Sequence, residues 1–551
     1  MVLSELLETA PLNRIPRTSK DEIRYLTFNV NGIKTLFNYH PWNRLQNDHD
    51  AFFSGLGADI ISLQELKINN DGLAATGVLK NYKAFISVPK SRKGYSGVGL
   101  FVRLPTSSDP PHVQTCLSVV KAEEGITGTL PSAEDKSQCY DESPNAIGGY
   151  LNGDDMEEMN MTIDELRSLD YEGRAVAVEL ASGTVVFSLY CPANSMGTED
   201  GEIFRLRFLE VLLRRSLKLK ALGKQVVIMG DINVSLDLID QAEAINEGIK
   251  ANLVSNNLKD GGEAFEKENK EACLAFKDRP QRSLLQRFVF PTNPFTQASE
   301  HAYLYDTTRV SQGRRLAMYT VWNTMTSARQ SNFGSRIDLI LMSCKEAVKS
   351  ISKADILPYI NGSDHCPVFT DIDVSYVTIQ PPAEQKKLKF EAKSFYKLVK
   401  HRDISSMFGT GIKRSATPEE KKDNGESKKP KLQYVSRKKT NSSQHSINTF
   451  FFQDKASKQD DKVSDDNYEP TQEDKPSDAV KLDSISKLTS LIYSDPPKCH
   501  HGEKCTLKTS LTNASKGKKF WCCPRASKGS STELGEHRCE YFEWAKMKSR
   551  S

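Results

Sequence analysis

Along the first 375 residues, apolar and polar positions follow two regimes. Short runs, apolar for most of their length, stop at Asn, Asp, Gly or Pro: RYLTFNVNG (24–32), ADIISLQE (58–65), VGLFVRLP (98–105), RAVAVEL (174–180), TVVFSLYCP (184–192), QVVIMGD (225–231) and RIDLILMS (336–343). Runs apolar at successive positions are strands covered on both faces. Between them lie segments with apolar residues at helical spacing and basic residues opposite, such as EIFRLRFLEVLLRRSLKLKAL (202–222). Strands and helices mixed over this length predict an α/β layered domain with a large sheet core. Residues 121–170 interrupt the pattern. They are acidic and rich in turn formers, so they are expected to form a surface insertion. Thr162 and Glu165 form a T-x-x-E capping pattern, which predicts a short helix at its end.

From 376 to 495 the pattern is lost. Lys, Ser, Asp, Glu and Gln dominate and aromatics nearly vanish, a composition that cannot offset its chain entropy by burial and is expected to be disordered. Aromatic residues return at 496–551, with Trp521 and Trp544 among only 4 Trp in the chain. Charge changes this picture little, because Lys+Arg 75 against Asp+Glu 71 gives +4 over 551 residues. Cysteine changes it more. Of 11 Cys, five (Cys499, Cys505, Cys522, Cys523, Cys539) crowd the end, the pattern of a terminal metal module rather than a disulfide framework. No apolar run approaches the roughly 20 residues of a membrane span. The first residues carry acids and no apolar signal core, so a soluble, reducing, intracellular setting is expected.

The strand ends hold an unusual load of carboxylates and amides. Asn29 and Asn31 end FNVNG, Glu65 ends ISLQE, Asp231 and Asn233 end VVIMGDIN, Asp338 begins DLILM, and Asp364 and His365 stand together in GSDHCP. One such ending is an ordinary turn; several on one sheet edge describe a site. Hard cations take one or two carboxylates plus water and phosphate oxygens. Phosphodiester hydrolysis needs a base for water, charge stabilisation and support for the leaving group.

The same motifs, with GYSGVGLF (94–101), YEGRAVAVEL (171–180), YTVWNTMTSAR (319–329) and SRID (335–338), resemble the exonuclease III branch of the endonuclease/exonuclease/phosphatase superfamily. Within it the chain is similar to the second eukaryotic type of class II AP endonucleases, with fungal wording near the N-terminus. The resemblance implies a four-layer α/β sandwich, two packed sheets flanked by helices, over residues 21–375. It implies Mg²⁺ (or Mn²⁺) held by Glu65, with Asn31 and Asp364 nearby. Asp231 would hold or deprotonate the attacking water. Asn233 and Asn29 would position phosphate and base, and His365 would bind a phosphoryl oxygen with Asp338 behind it. Tyr190 would donate to the phosphate or leaving oxygen, and Lys67 would pair with site carboxylates. Tyr95, Arg174, Arg329 and Trp322 would face DNA or the site rim, although Tyr95 and Arg174 could equally only pack or pair. Two positions depart from strong AP endonucleases of the branch. Ala193 stands where Asn is usual, with Asn194 one residue on. Ser335 replaces a large aromatic wall residue, leaving Val321 and Ile337 as the other walls. A smaller wall holds a flipped abasic sugar less firmly, which favours 3′-end work.

In the tail, Cys499, His501, Cys523 and Cys539 have the composition of a structural Zn²⁺ site, in a frame that resembles the GRF zinc finger with Lys518 in place of its Arg. Single-stranded DNA is the implied partner, through Lys518, Lys519 and their basic neighbours, while Phe520, Phe542 and Trp544 are expected to pack the small core. His500, Cys505 and Cys522 are nearby alternatives as ligands. Gln444, Ile447, Phe450 and Phe451 match the box that binds the sliding clamp PCNA. Lys413-Arg414 followed by Lys428-Lys429-Pro430-Lys431 resembles a bipartite nuclear signal. Together these imply a nuclear DNA-repair phosphodiesterase that incises 5′ to abasic sites and cleans 3′ ends by exonuclease and phosphodiesterase action. The alternatives are a superfamily enzyme acting on a non-DNA phosphoester and a non-catalytic scaffold joining PCNA and single-stranded DNA.

Overall fold

The computed structural model describes residues 15–90, 94–293, 295–380, 388–398, 496–509, 519–525 and 539–544. These fall into two units, divided between Gln453 and Asp454 and each considered alone. In the first unit the strands are β1 (Glu22–Asn29), β2 (Ile60–Gln64), β3 (Tyr82–Ser87), β4 (Val98–Arg103), β5 (Val119–Glu124), β6 (Ala175–Leu180) and β7 (Thr184–Tyr190). They continue as β8 (Gln225–Asp231), β9 (Tyr305–Asp306), β10 (Val321–Trp322), β11 (Gly334–Ser335), β12 (Asp338–Met342), β13 (Ile351–Ile356) and β14 (Val368–Asp373).

Two six-stranded sheets form, ordered β13-β14-β1-β2-β4-β3 and β5-β6-β7-β8-β12-β9. Each is antiparallel except at its centre, where β1 runs parallel to β2 and β7 to β8. A parallel pair needs a crossover, and helices supply it. His49–Leu56 lies between β1 and β2, and Glu199–Ala221 between β7 and β8. Thr198 caps the second of these, with Glu199, Asp200 and Glu202 in its first turn and Lys218 and Lys220 in its last, the arrangement its dipole favours.

The residues of each central strand divide by parity. Tyr25, Ile60, Val186, Val227, Met229 and Ile340 fill the space between the sheets. Their neighbours Leu26, Phe28, Ile61 and Leu63 pack under the outer helices of the first sheet, and Val185, Phe187, Leu189 and Ile228 under Glu199–Ala221. Each such side chain contributes about 1.5–3 kcal/mol on burial. Two sheets covered outside by helices make the four-layer α/β sandwich.

Two sequence-based boundaries are corrected. The 121–170 stretch is not a plain surface insertion. It opens inside β5, and Ile126, Leu130, Tyr140 and Ile147 are buried. Glu123 is ion-paired with Arg215 at 2.7 Å in the interior, and Asp170 accepts from the Ile126 and Thr127 amides. Its expected closing helix is Ile163–Ser168, capped by Thr162. The packed chain also runs past 375. Leu388, Phe390 and Ala392 are buried, and the Tyr396 hydroxyl donates to the Ile86 carbonyl at 2.9 Å. The basic island and the clamp-box residues Gln444, Ile447, Phe450 and Phe451 lie outside the described residues.

In the second unit β15 (Thr506–Thr509), β16 (Lys519–Cys522) and β17 (Phe542–Trp544) form an antiparallel sheet. Trp521 and Cys505 are buried with Cys499, Cys523 and Cys539. The expected aromatic core is corrected here. Trp521 fills it, whereas Phe542 is 52% and Trp544 42% exposed, and Phe520 joins them in a cluster with ring centroids 4.8–6.0 Å apart. No helix among the described residues is long and apolar enough to cross a membrane.

Candidate active site

The parallel strands of both sheets end on the same edge of the sandwich. Register aligns Tyr190 with Asp231 and Asp231 with Asp338, so β7, β8 and β12 place three side chains in one row. In the other sheet Asn29 pairs with Gln64, which brings Glu65 beside it. The Asn29 side-chain amide joins the two rows. Its Nδ2 donates to Glu65 and to Asp231, both at 3.0 Å. One step behind the site, where strand parity returns to the same face, a polar layer crosses the core. Gln64 donates to Ser62, Ser62 and Ser188 share a hydrogen bond of 2.6 Å, and Ser188 donates to the Gly99 carbonyl.

The turn residues adopt backbone conformations disfavoured for L side chains. Asn31, Glu65, Lys67 and Asn233 have φ of 46°, 51°, 47° and 56°. Asn tolerates this region. For Glu and Lys it costs on the order of 1–3 kcal/mol, the kind of strain found at functional sites.

Lys67 Nζ lies 2.7 Å from Glu65 Oε2 and also donates to Asn31 Oδ1, and Asn31 Nδ2 donates to Asp364 at 2.9 Å. Burial opposes ionisation of Glu65, but the Lys67 charge and hydrogen bonds from Lys67 and Asn29 outweigh it and hold the carboxyl below its usual range. Glu65 Oε2 and Asn31 Oδ1 already accommodate a positive charge as the Lys67 ammonium. Two carboxylates and an amide oxygen fit a hard divalent cation.

His365 Nδ1 meets Asp338 at 2.8 Å, and its Nε2 is 3.9 Å from Asp231. Burial disfavours the imidazolium, yet Asp338, Asp231 and Asp364 together raise its pKa. Asp231 is raised too, first by burial and then by the Asp338 charge. Asp231 accepts from the Asn233 amide at 3.1 Å, while Asn233 Nδ2 donates to the Cys191 carbonyl at 2.9 Å. Burial, then the charges of Glu65 and Asp231, push the Tyr190 phenol well above its ordinary pKa, so it stays a proton donor.

Three of the residues expected at DNA or the site rim have partners within the protein. Arg174 is buried; it donates to Glu172, to the Tyr190 carbonyl and to the Tyr95 hydroxyl, and its guanidinium lies 4.9 Å from the Tyr190 ring centroid. Trp322 is buried, its indole donating to Asn332. Arg329 donates to main-chain carbonyls of the His365 loop. Tyr95 is half-buried at the edge of this group. Asn194, next to Ala193, donates to Glu202 at the start of the Glu199–Ala221 helix. Val321 pairs with Ser335 and bridges to His365.

Sequence reasoning missed two supports. Ser363 Oγ donates to the Asn29 carbonyl at 2.7 Å and accepts from the His365 amide. Thr320 Oγ1 accepts from the Ile337 and Asp338 amides, and its carbonyl accepts from Cys366. Ser363 was readable as part of SDH and Thr320 as part of YTVW, but neither motif shows what its hydroxyl holds.

In the second unit the ligand atoms of Cys499, His501, Cys523 and Cys539 all lie within 4.8 Å of one another. His501 Nδ1 is 3.8 Å from Cys499 and 3.5 Å from Cys523, spacings a tetrahedral zinc site needs. Cys522 instead turns toward the Thr506 carbonyl. Lys518 lies outside the described residues.

A layered sandwich with this donor edge is the hydrolase arrangement described by the Endonuclease/Exonuclease/phosphatase family, whose model matches residues 26–365; the chain belongs to that family. The GRF zinc finger model matches residues 497–548. The chain is 40% identical to DNA-(apurinic or apyrimidinic site) endonuclease 2 of Saccharomyces cerevisiae over 96% of this chain and 98% of the relative. It is 30% identical to the protein of that name from Schizosaccharomyces pombe over 64% of this chain and 58% of the relative. The human one is 28% identical over 66% and 62%.

Proposed function

We propose that this chain is a Mg²⁺-dependent (or Mn²⁺-dependent) DNA-repair phosphodiesterase that incises 5′ to abasic sites and also works on 3′ ends as an exonuclease and phosphodiesterase. The observation that carries the reading is the Asn29 bridge, which holds a cation-type oxygen set and a buried Asp–His–Asp group on one edge. Glu65, with Asn31 and Asp364, would hold the divalent cation. When bound, that cation supplies charge neutralisation to the phosphoryl oxygens. Asp231, raised toward the working range of a base, takes a proton from water oriented with Asn233. His365, kept protonated by Asp338, donates to a phosphoryl oxygen, and the Tyr190 hydroxyl donates to the phosphate or leaving oxygen.

The finger would bind single-stranded DNA. The cluster of half-buried Phe520 with exposed Phe542 and Trp544 supports this, because base–aromatic stacking is worth about 1–3 kcal/mol per base. Zinc at Cys499, His501, Cys523 and Cys539 would hold that sheet. The Gln444–Phe451 box would dock on PCNA, and the basic island would direct the chain to the nucleus.

Purified full-length protein should be offered a duplex with a tetrahydrofuran abasic analogue, a recessed mismatched 3′ end, and inositol polyphosphate. Cleavage of the first two with Mg²⁺ is expected. Turnover of the inositol phosphate alone would overturn the reading.

A further inference from the structure

The loop 357–367 carries Asp364 and His365 but forms no helix or strand. Its main-chain carbonyls must therefore find partners outside any regular ladder. Four of them turn toward one side chain. Arg329 Nη1 donates to the Ser363 carbonyl at 3.0 Å and reaches that of His365 at 3.5 Å. Its Nη2 donates to Pro358 at 3.0 Å and Ile360 at 2.6 Å. Converging carbonyl dipoles repel one another unless a cation sits among them, and guanidinium is the one side chain that offers a fork of donors to several acceptors at once.

The far side of the guanidinium is also closed. It lies 4.6 Å from the Trp322 ring centroid, within cation–π range. Trp322 is itself tied to the same loop, its amide donating to the Asp364 carbonyl at 3.0 Å. The remaining donor, Nε, is buried and without a partner. Each Nη thus has two carbonyls within 3.5 Å, and among the described residues no carboxylate pairs with Arg329.

We infer that Arg329 is a positioning residue: it clamps the Trp322–Phe333 rim segment to the Pro358–His365 loop and thereby sets where Asp364 and His365 stand. The clamp joins two parts of the site that meet substrate differently. Thr324, Met325, Thr326 and Ser327 of the rim segment are exposed, whereas His365 is buried beside Asp231. Pressure of bound substrate on that rim is transmitted through one guanidinium to the loop that carries the chemistry. The inference rests on the nuclease reading for its kinetic part and on geometry alone for its structural part.

Two variants of the full chain, R329K and R329M, separate this role from a DNA contact. Lysine keeps the charge but cannot reach four carbonyls. Both variants should lower the cleavage rate of the abasic duplex roughly 10- to 100-fold, as small misplacements of reacting groups do. Affinity should stay within about twofold, with the salt dependence of binding unchanged. Amide hydrogen exchange should rise in residues 357–367 and not in β1 or β8. A contact to a phosphate predicts the reverse: R329K near wild type, and R329M weaker in binding with a salt slope reduced by about one. That result, or unchanged exchange in the loop, overturns the inference. If R329M does not fold, R329K alone decides. If the wild-type chain cuts no DNA, the nuclease reading fails while the exchange measurement still tests the clamp.

Discussion

Asn29 is fully buried, and its side-chain amide is the bridge between the two carboxylates of the site. Replacing it with alanine removes two hydrogen bonds to carboxyl groups, each worth about 1.5–3 kcal/mol where the acceptor is charged. Water entering the space recovers part of that. A net loss of about 3 kcal/mol remains, roughly a 100-fold fall in rate at about 1.4 kcal/mol per decade. Asn29→Asp has nearly the same shape and gives the opposite electrostatics. Two unit charges about 4 Å apart repel by about 4 kcal/mol at an effective dielectric of about 20, and the new carboxylate would face both Glu65 and Asp231. Single-turnover cleavage of the abasic duplex at neutral pH and saturating Mg²⁺ should therefore rank wild type above Asn29→Ala and Asn29→Ala above Asn29→Asp. A thermal melt of each variant separates lost chemistry from lost fold. If Asn29→Asp matched or exceeded Asn29→Ala, or if Asn29→Ala stayed within threefold of wild type, the amide would not be the bridge described.

Cys523→Ser should abolish stoichiometric zinc by metal analysis of the purified chain, and Cys522→Ser should retain it; zinc retained by Cys523→Ser would place the ligand elsewhere. Ser188→Ala removes the hydrogen bond between Ser62 and Ser188 and leaves Ser62 only the Met229 carbonyl, at 3.4 Å, across the sheets; it should lower stability in urea by about 0.5–1.5 kcal/mol, the net worth of one such bond. Burial disfavours the charge on Asp240, but Arg309 and Arg336 outweigh it and hold the carboxyl far below its ordinary value. Its stabilisation is present above about pH 3.9, the unfolded value, and is lost as pH falls through the folded one. Asp240→Asn leaves buried Arg309 without a carboxylate and Arg336 with Asp306 alone, 2.8 Å away, and should destabilise by about 3–5 kcal/mol at neutral pH; an unchanged urea midpoint would refute the pairing.

The central strands were legible because both their faces are buried, so β1, β2, β4, β6, β7, β8 and β12 read as apolar runs. The others did not. β3 (YKAFIS), β5 (VVKAEE) and β13 (ISKADI) lie at sheet edges and carry polar residues that mask the period. The acidic stretch misled because Glu123 and Asp170 are satisfied inside the protein, the first by Arg215 and the second by backbone amides. Composition cannot distinguish such a carboxylate from a solvated one. Site carboxylates were readable from their place at strand ends. Partners were not: Arg174 and Arg329 look like surface cations in sequence, and only packing shows that one serves two phenols and the other a loop of carbonyls. In the finger, neighbouring aromatics at 520 and 521 face opposite sides of one strand, so which of them is core depended on the sheet.

The most direct test of the account compares wild type, Glu65→Ala and Asp231→Asn on a duplex with one tetrahydrofuran abasic analogue, with Mg²⁺ and with chelator. Wild type should cut on the 5′ side of the analogue only with the cation, and both variants should lose at least about 100-fold in rate, as removal of a catalytic group does. They should keep their affinity for the duplex. Cleavage that survives Glu65→Ala, or that proceeds in chelator, would contradict the account.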